Sequence, residues 1–333
     1  MPNAVRSVVR SSCADVERVG VNALPHILGD ISNEEFLQHY WQRQPLLVRS
    51  AFSVDSLPVV SSELAVLAED PDVESRIVLE AGPTGPWELR SGPFRAADRQ
   101  TLPATSWTLL VQAIDLWVPE ARDLLRYFDF LPRWRLDDIM ASFAVEGGSV
   151  GPHFDQYDVF LIQAEGQRRW QIGSTCGDDT PLLSGCDLQI LADFQPLHDW
   201  LVEPGDMLYL PPKVAHWGVA RSECVTLSVG FRSPTLADML GDLAIEISAQ
   251  GNDQHYTDPA LTPAMAAEDI DPAFIDQARD LLSALLNEDG LLEDWFARYM
   301  TLPKYPGLEH RTGEARTVRI GGRAYRNGEL SED

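Results

Sequence analysis

Long hydrophobic runs, basic residues, paired cysteines and histidines are all scarce in this chain. No apolar stretch approaches the roughly 20 residues that a spanning helix needs, so no membrane segment is expected. Residues 1–20 are rich in Ser, Arg and Val but hold no continuous apolar core, which argues against a secretory signal. Lys and Arg number 26 against 51 Asp and Glu, a formal charge of −25. A general nucleic-acid binder needs the opposite sign to neutralise phosphates. Contact with nucleic acid is therefore expected to be incidental. An acidic surface serves solubility, and it also suits a basic partner. The four cysteines, Cys13, Cys176, Cys186 and Cys224, show no CxxC spacing. Reduced thiols and a cytoplasmic location are the default reading. Cys176 with Cys186 could supply half of a zinc site. No internal repeat is visible.

Against these absences, one placement stands out. Gly151-Pro152-His153-Phe154-Asp155 sets a histidine and a carboxylate two residues apart, and His216 follows much later. Two imidazoles and one carboxylate can occupy one face of an octahedral metal and leave the opposite face open. That donor set is the facial triad of non-haem Fe(II) oxygenases. An H-x-D spacing is common by chance, so its surroundings decide whether it means anything.

Those surroundings read as β-structure. Ile139 to Val145 is a short apolar run closed by Glu146-Gly147-Gly148. Asp158 to Gln163 is a second run, and Arg168 to Gly173 returns after Glu165-Gly166, which predicts a hairpin. Met207 to Leu210 follows the turn Glu203-Pro204-Gly205-Asp206 and is stopped by Pro211-Pro212, with His216 just beyond. Cys224 to Phe231 closes the set. Many short strands with Gly/Pro turns suggest a barrel or jelly roll. On an extended chain, residues i and i+2 share a face. His153 and Asp155 would then point together into the barrel mouth, with His216 opposite.

At 333 residues the chain can hold one large domain and a smaller one. Residues 1–22 read as a mobile leader and 23–234 as the main domain, with the metal core at about 136–232. Ser32-Asn33-Glu34-Glu35 fits a capping box opening a helix that carries Phe36, Leu37, Tyr40 and Trp41 and ends before Pro45. Leu46 to Arg49 reads as a strand. Trp107 to Trp117 reads as a buried helix. After Pro234 the period changes: Leu236, Met239, Leu240, Leu243 and Ile247 fall at helical spacing. Further helices are predicted near Pro272 to Leu286 and Leu291 to Met300. Region 235–300 would thus be helical. Such amphipathic helices often pack on a twin subunit, although packing within the chain explains them equally well. In 301–333, Val318, Ile320, Gly321-Gly322, Ala324 and Tyr325 suggest a hairpin. The arginines Arg311, Arg316, Arg319, Arg323 and Arg326 there could touch RNA or simply be solvated.

The run RLDDIMASFAVEGGSVGPHFDQYDVFLIQAEGQRRWQIG (135–173) resembles the JmjC-type ribosomal oxygenases, as do LVEPGDMLYLPPKVAHWGVA (201–220), SVGFRSP (228–234), WELRSGPF (87–94) and WTLLVQAIDLW (107–117). The blocks occur in order across most of 22–300. The resemblance implies a mainly β fold with appended helices: a double-stranded β-helix of the jelly-roll, cupin type. It also implies a helical dimerisation region, giving a homodimer, and a C-terminal winged helix, for which 301–333 looks partial or reduced. The implied cofactor is Fe(II), with 2-oxoglutarate as cosubstrate and O2 as oxidant. The implied substrate is a ribosomal protein of the large subunit, hydroxylated on an arginine.

Residue by residue, the resemblance makes His153, Asp155 and His216 the metal ligands. It gives Arg168 the far carboxylate of 2-oxoglutarate, a task that suits a forked guanidinium. Arg169, its neighbour, should face the other way. A serine of the family falls at Ala144, so that hydroxyl is missing here. Ser142, on the same strand face, and Thr226 are candidates to line the cosubstrate cavity. The family positions matching Asp138 and Ser228 contact the substrate guanidinium, and those matching Met140 and Tyr157 form walls. Trp170 and Trp217 read as core or rim packing. Three alternatives stay open. They are a histidyl hydroxylase of a ribosomal protein, a zinc- or manganese-binding cupin that is not an oxygenase, and a non-catalytic partner-binding protein.

Overall fold

The computed structural model describes residues 7–9, 24–58, 60–80, 87–251, 254–265, 269–308, 311 and 317–331. It divides into two compact units, Met1–Ser233 and Pro234–Asp333.

The first unit opens with β1 (Ser7–Val9), which pairs in parallel with β2 (Leu46–Arg49). Part of the expected leader is thus a strand, and the rest of 1–22 lies outside the described residues. Between them α1 (Asn33–His39) starts where the Ser32 hydroxyl accepts from the Glu35 N–H, as the capping pattern predicts. Next come α2 (Ser61–Leu67), β3 (Ser75–Glu80), β4 (Trp87–Ser91), α3 (Ala96–Arg99), β5 (Trp107–Val111) and α4 (Pro119–Asp123). The strands of the expected core follow: β6 (Leu136–Ala144), β7 (Val159–Glu165), β8 (Arg168–Thr175), β9 (His198–Val202), β10 (Met207–Leu210), β11 (Val214–Ala220) and β12 (Cys224–Phe231).

Nine strands form one sheet in the order β1-β2-β10-β7-β12-β6-β5-β3-β4, and β11-β8-β9 form a second. The central strands β7, β10 and β12 of the large sheet are buried on both faces. On one face Phe160, Ile162, Met207 and Tyr209 pack with Phe36, Leu64 and Phe128 of the N-terminal region. On the other, Val159, Leu161, Leu208 and Leu210 meet Trp170, Ile172 and Val202 of the small sheet. This is why Val159–Ile162 of β7 reads as an unbroken apolar run rather than an alternating one. The two packed sheets are the jelly-roll core that the strand pattern predicts.

Two local expectations are corrected. The predicted hairpin of β7 and β8 does not form. β7 pairs with β10 and β12, whereas β8 pairs with β11 and β9. The turn at Gly166 instead carries the chain from one sheet to the other. It needs glycine, because φ is +63° and a Cβ would meet the Glu223 carbonyl oxygen at 2.0 Å. The predicted helix over Trp107–Trp117 is also absent. Trp107–Val111 is a strand between β3 and β6, Ala113 turns left-handed at φ 52°, and only Ile114–Leu116 makes a 3-10 turn. Aromatic and β-branched residues in WTLLV suit a pleated surface, and a five-residue apolar run carries no period that separates strand from helix.

The second unit holds α5 (Leu236–Ala249), α6 (Pro272–Leu286), α7 (Leu291–Thr301), β13 (Thr317–Ile320), β14 (Arg323–Arg326) and β15 (Glu329–Ser331). The predicted hairpin gains a third strand, since β15 pairs with β14. The expected division at residue 300 falls inside this unit. α7 packs on β13 and β14, Gly328 N–H donates to Thr301 Oγ1 at 3.0 Å, and Trp295 Nε1 donates to Asp242 of α5 at 2.7 Å. Asp294 accepts from Tyr325 and Arg323. Arg319, Arg323 and Arg326 are exposed, and Arg316 lies outside the described residues. Among the described residues no helix is long and apolar enough to cross a membrane.

Candidate metal centre

The segment between β6 and β7 brings His153 and Asp155 against β11. His153 N–H donates to the His216 carbonyl at 3.0 Å, and His216 N–H returns a bond to His153 at 2.8 Å. This reciprocal bridge sets the two imidazoles side by side, with ring centroids 4.3 Å apart. Asp155 Oδ2 lies 3.6 Å from His216 Nε2. One donor atom from each of His153, Asp155 and His216 lies within 4.8 Å of the others. It is the one such cluster among the described residues, so Cys176 and Cys186 do not complete a zinc site there.

The donors are aimed before any ligand arrives. His153 Nδ1 is 2.9 Å from the Gly151 carbonyl, and His216 Nδ1 is 2.9 Å from that of Val214. A carbonyl only accepts, so each Nδ1 is the donor, and in a neutral ring Nε2 then keeps the lone pair. Burial and the neighbouring His153 push the His216 pKa down to about 4, so this imidazole is neutral at pH 7. Neutral imidazole is the form that binds a metal.

Gly151 makes the ligand segment possible. Its φ is +81°, and a Cβ would lie 2.3 Å from Ile190 Cδ1 and 3.1 Å from the Trp87 ring. The fully buried Ser149 ties both ligand-bearing segments together. Its hydroxyl oxygen accepts from the Gly151 N–H at 3.0 Å and from Trp217 Nε1 at 2.8 Å. Lys213, at φ +66°, donates its N–H to the Asp155 carbonyl at 2.6 Å.

Arg168 opens β8 and is only 3 % exposed. Its Nε and one Nη find no hydrogen-bond partner among the described residues. A buried guanidinium with unused donors is costly by about 1–3 kcal/mol per group, more when charged. It is the feature expected of a site that waits for an anion. Opposite it stands Ala220, which packs with Ala144 and Cys224, so the wall beside Arg168 is small and apolar. Arg169 faces the other way and pairs with Asp199 at 2.7 Å, as the strand alternation predicts. Trp170 is core, 5.7 Å from the Arg168 guanidinium.

Thr226 and Ser142 are cross-strand partners, as are Ser228 and Met140. The Thr226 hydroxyl donates to Gln163 Oε1 at 3.0 Å, and Gln163 Nε2 donates to the Glu165 carbonyl at 2.8 Å. Thr226 therefore reaches Arg168 indirectly, by holding the turn that precedes it. Asp138 is buried, and Gln112 Nε2 donates to both of its carboxylate oxygens at 3.1 and 2.9 Å. Tyr157 is 40 % exposed at the mouth. Its phenol is held neutral by desolvation first, then by the charges of Asp155, Asp138 and Asp137 and a hydrogen bond to Asp155.

Three of these residues carry no signal in the sequence. Ser149, Gln163 and Gln112 are ordinary polar residues whose partners are set by the fold. Gln112 in particular sits in the stretch whose pattern suggests a helix.

The JmjC domain family matches residues 123–239, which span both histidines, Asp155 and Arg168. The E. coli protein named ribosomal protein uL16 3-hydroxylase is 35 % identical over 323 residues, covering 89 % of this chain and 84 % of that one. This chain belongs to the JmjC-domain ribosomal oxygenases. A probable ribosomal oxygenase of Haemophilus influenzae is 39 % identical over 215 residues, covering 64 % of this chain and 53 % of its own. The X-ray structure of E. coli YcfD superposes with a TM-score of 0.81 at 32 % identity, covering 91 % of this chain and 87 % of that one. YcfD in complex with cobalt and 2-oxoglutarate superposes at 0.79, again at 32 % identity, with 91 % and 86 % covered. Membership of this family fits the JmjC fold seen here and makes the chain an oxygenase.

Proposed function

We propose that this chain is an Fe(II)- and 2-oxoglutarate-dependent dioxygenase that hydroxylates an arginine side chain of a large-subunit ribosomal protein. The observation that carries the reading is the orphaned Arg168 guanidinium inside the barrel that also holds the triad. A non-oxygenase cupin needs the three ligands but has no use for that cation. A scaffold that binds partners needs neither. The cobalt and 2-oxoglutarate held by YcfD agree with the same assignment.

His153, Asp155 and His216 would hold the ferrous ion through two neutral nitrogens and one carboxylate oxygen. That set leaves a net positive charge, which favours a dianionic cosubstrate. When bound, iron supplies the oxidising chemistry that joins one oxygen atom from O2 to a carbon of the substrate while 2-oxoglutarate is decarboxylated to succinate. Arg168 takes the far carboxylate in a forked pair and so fixes the keto acid's orientation. With alanine at 144, no hydroxyl from that position shares the load. Ser142 lines the same strand face, and Thr226 steadies the Arg168 turn through Gln163. The protein's part is to bind, orient and exclude water.

The arginine assignment comes from the mouth. Asp138, held by Gln112, offers a buried carboxylate to a cation, with Asp137 close by. Met140 and Tyr157 provide apolar walls for methylenes, and the Ser228 hydroxyl lies opposite Met140. The E. coli relative's name specifies uL16 as substrate. The chain's acidic balance suits such a basic partner.

We further propose that the helical region forms a homodimer. α6 buries no residue within the chain, and Leu236 is 70 % and Leu240 54 % exposed. A cavity of about 530 Å³ lies beside them, lined by Leu243, Trp295 and Phe296 among others. A second copy would cover this surface.

Mass spectrometry of ribosomal proteins incubated with the chain, Fe(II) and 2-oxoglutarate tests the assignment. The expected result is one added oxygen on an arginine. Addition to a histidine, or no addition with no succinate formed, would overturn it.

A further inference from the structure

Two backbone clamps fasten the ligand segment to β11. At one end the Gly147 N–H donates to the Ala220 carbonyl at 2.9 Å, and the Ala220 N–H donates to the Gly148 carbonyl at 3.0 Å. At the other end stands the reciprocal bridge of His153 and His216. Among the described residues, 149–152 make no backbone bond to β11 between these clamps. A side chain crosses that gap: the Ser149 hydroxyl oxygen accepts from Trp217 Nε1 at 2.8 Å.

The same oxygen also works along its own segment. It accepts from the Gly151 N–H at 3.0 Å, the local turn that short polar side chains make with an N–H two residues on. That bond holds Gly151 at the positive φ from which the chain turns toward His153. Ser149 is itself fixed: it is fully buried, and its carbonyl accepts from Thr108 Oγ1 of β5 at 3.3 Å. On β11, His216 and Trp217 are successive, so their side chains leave opposite faces and one stretch of backbone sets both. The indole also meets Phe194 edge-on, with ring centroids 6.0 Å apart. A pull on the indole is therefore a pull on the strand that carries His216.

We propose that Ser149 is a positioning residue for the metal centre: one hydroxyl oxygen acts on His153 through Gly151 and on His216 through Trp217, and so sets the separation of the two Nε2 donors. The inference rests on the reading of His153, Asp155 and His216 as the ferrous ligands. The carbonyls of Gly151 and Val214 aim the two rings through Nδ1. Ser149 has a different task, which is to hold the two segments that carry those rings at a fixed spacing. Partners outside the ligand set change metal affinity by about 10–100-fold when they are removed.

The experiment uses Co(II) as the probe, because its visible absorption bands follow the geometry of its ligands. Ser149→Ala, Trp217→Phe, the double variant and Asp155→Ala are compared with the parent. Co(II) Kd, the Co(II) bands, 2-oxoglutarate Kd at saturating Co(II), and Tm are measured for each. Ser149→Ala is expected to raise the Co(II) Kd by about tenfold and to shift the bands. Trp217→Phe should do the same to a smaller degree. The double variant should bind no more weakly than Ser149→Ala, because both changes break one link. The 2-oxoglutarate Kd of the metal-saturated variants should stay at the parent value. If either single variant binds Co(II) as tightly as the parent with the same bands, or if the two losses add, the inference fails and the ligand reading stands. If the parent binds no Co(II), or Asp155→Ala binds it equally well, the ligand reading falls and takes this inference with it. A lower Tm in Ser149→Ala with Kd and bands unchanged would make the serine structural and overturn the proposal. Should Ser149→Ala not fold, Trp217→Phe decides by the same Kd and bands, since it leaves the bond from Gly151 to Ser149 in place.

Discussion

The ligand-bearing sheets and the helices after Ser233 treat their apolar residues in opposite ways. In the first unit, Val159, Phe160, Leu161 and Ile162 are all buried, as is the whole of β12. Around the triad, Ser149, Gln163 and Gln112 pair the polar groups within the chain. Among the described residues of this unit, buried polar atoms without a hydrogen-bond partner remain on Ser75, Trp87, Arg135 and Arg168, and Arg168 has two of them. In the second unit, Leu236, Leu240, Ile245, Leu282 and Leu286 stay exposed, and no residue of α6 is fully buried. One region leaves two donors of the buried Arg168 guanidinium unused, the kind of group the proposed small anion would meet. The other leaves an apolar face that fits a protein surface. The groups left unsatisfied differ as the two proposed partners, a small dianion and a second copy, differ.

The sharpest way to break that contrast is to remove a ligand. His153→Ala or Asp155→Ala is expected to abolish turnover, because two donors hold a divalent ion poorly. Oligomeric state by analytical ultracentrifugation should not change, since the apolar face is elsewhere in the fold. Next in size, Arg168→Ala should raise the 2-oxoglutarate requirement by about 10–100-fold, the scale of a charged hydrogen bond. Equilibrium binding of 2-oxoglutarate checks this, and an unchanged Kd would show that Arg168 serves something else. On the other side of the contrast, Leu240→Asp should weaken self-association by about 10–100-fold and leave metal content intact. A variant that sediments like the parent would return the helical face to solvent.

The smallest expected effect is electrostatic. Burial pushes the Glu80 carboxyl up to about 7 from its ordinary value of 4.5. Between these values the folded chain holds a proton that the unfolded chain releases. Stability should therefore fall as pH rises from about 4.5 through 7. Glu80→Gln should remove that slope, leaving stability unchanged at low pH and raising it by about 1 kcal/mol at pH 8, well below the full shift because solvent screens this half-buried carboxyl. Urea unfolding at the two pH values measures it.

Much of the fold is legible in the residues, for reasons that also mark the limits. Short apolar runs closed by Gly or Pro locate β6 through β12, and helical spacing locates α5, α6 and α7. Runs such as DVFLIQ and RRWQIG do not say which strand each will pair with, because pairing is decided by where Gly166 sends the chain. The run WTLLV fits either a strand or a buried helix until β3 and β6 flank it. The triad is legible because a metal demands particular donors at particular spacing. The rest of the centre is not, because Ser149 and Gln112 draw their roles from partners far away in the chain. Arg168 lies between these cases: the alternation separates it from Arg169, yet only the fold leaves its donors unpaired.

Three side chains of one chain would make the proposed ferrous site, and anaerobic Fe(II) titration of the parent and of Asp155→Ala is the decisive experiment. The predicted result is one tightly held ferrous ion per parent chain and none per variant chain. A parent that retains no iron, or a variant that binds iron as tightly as the parent, would contradict it.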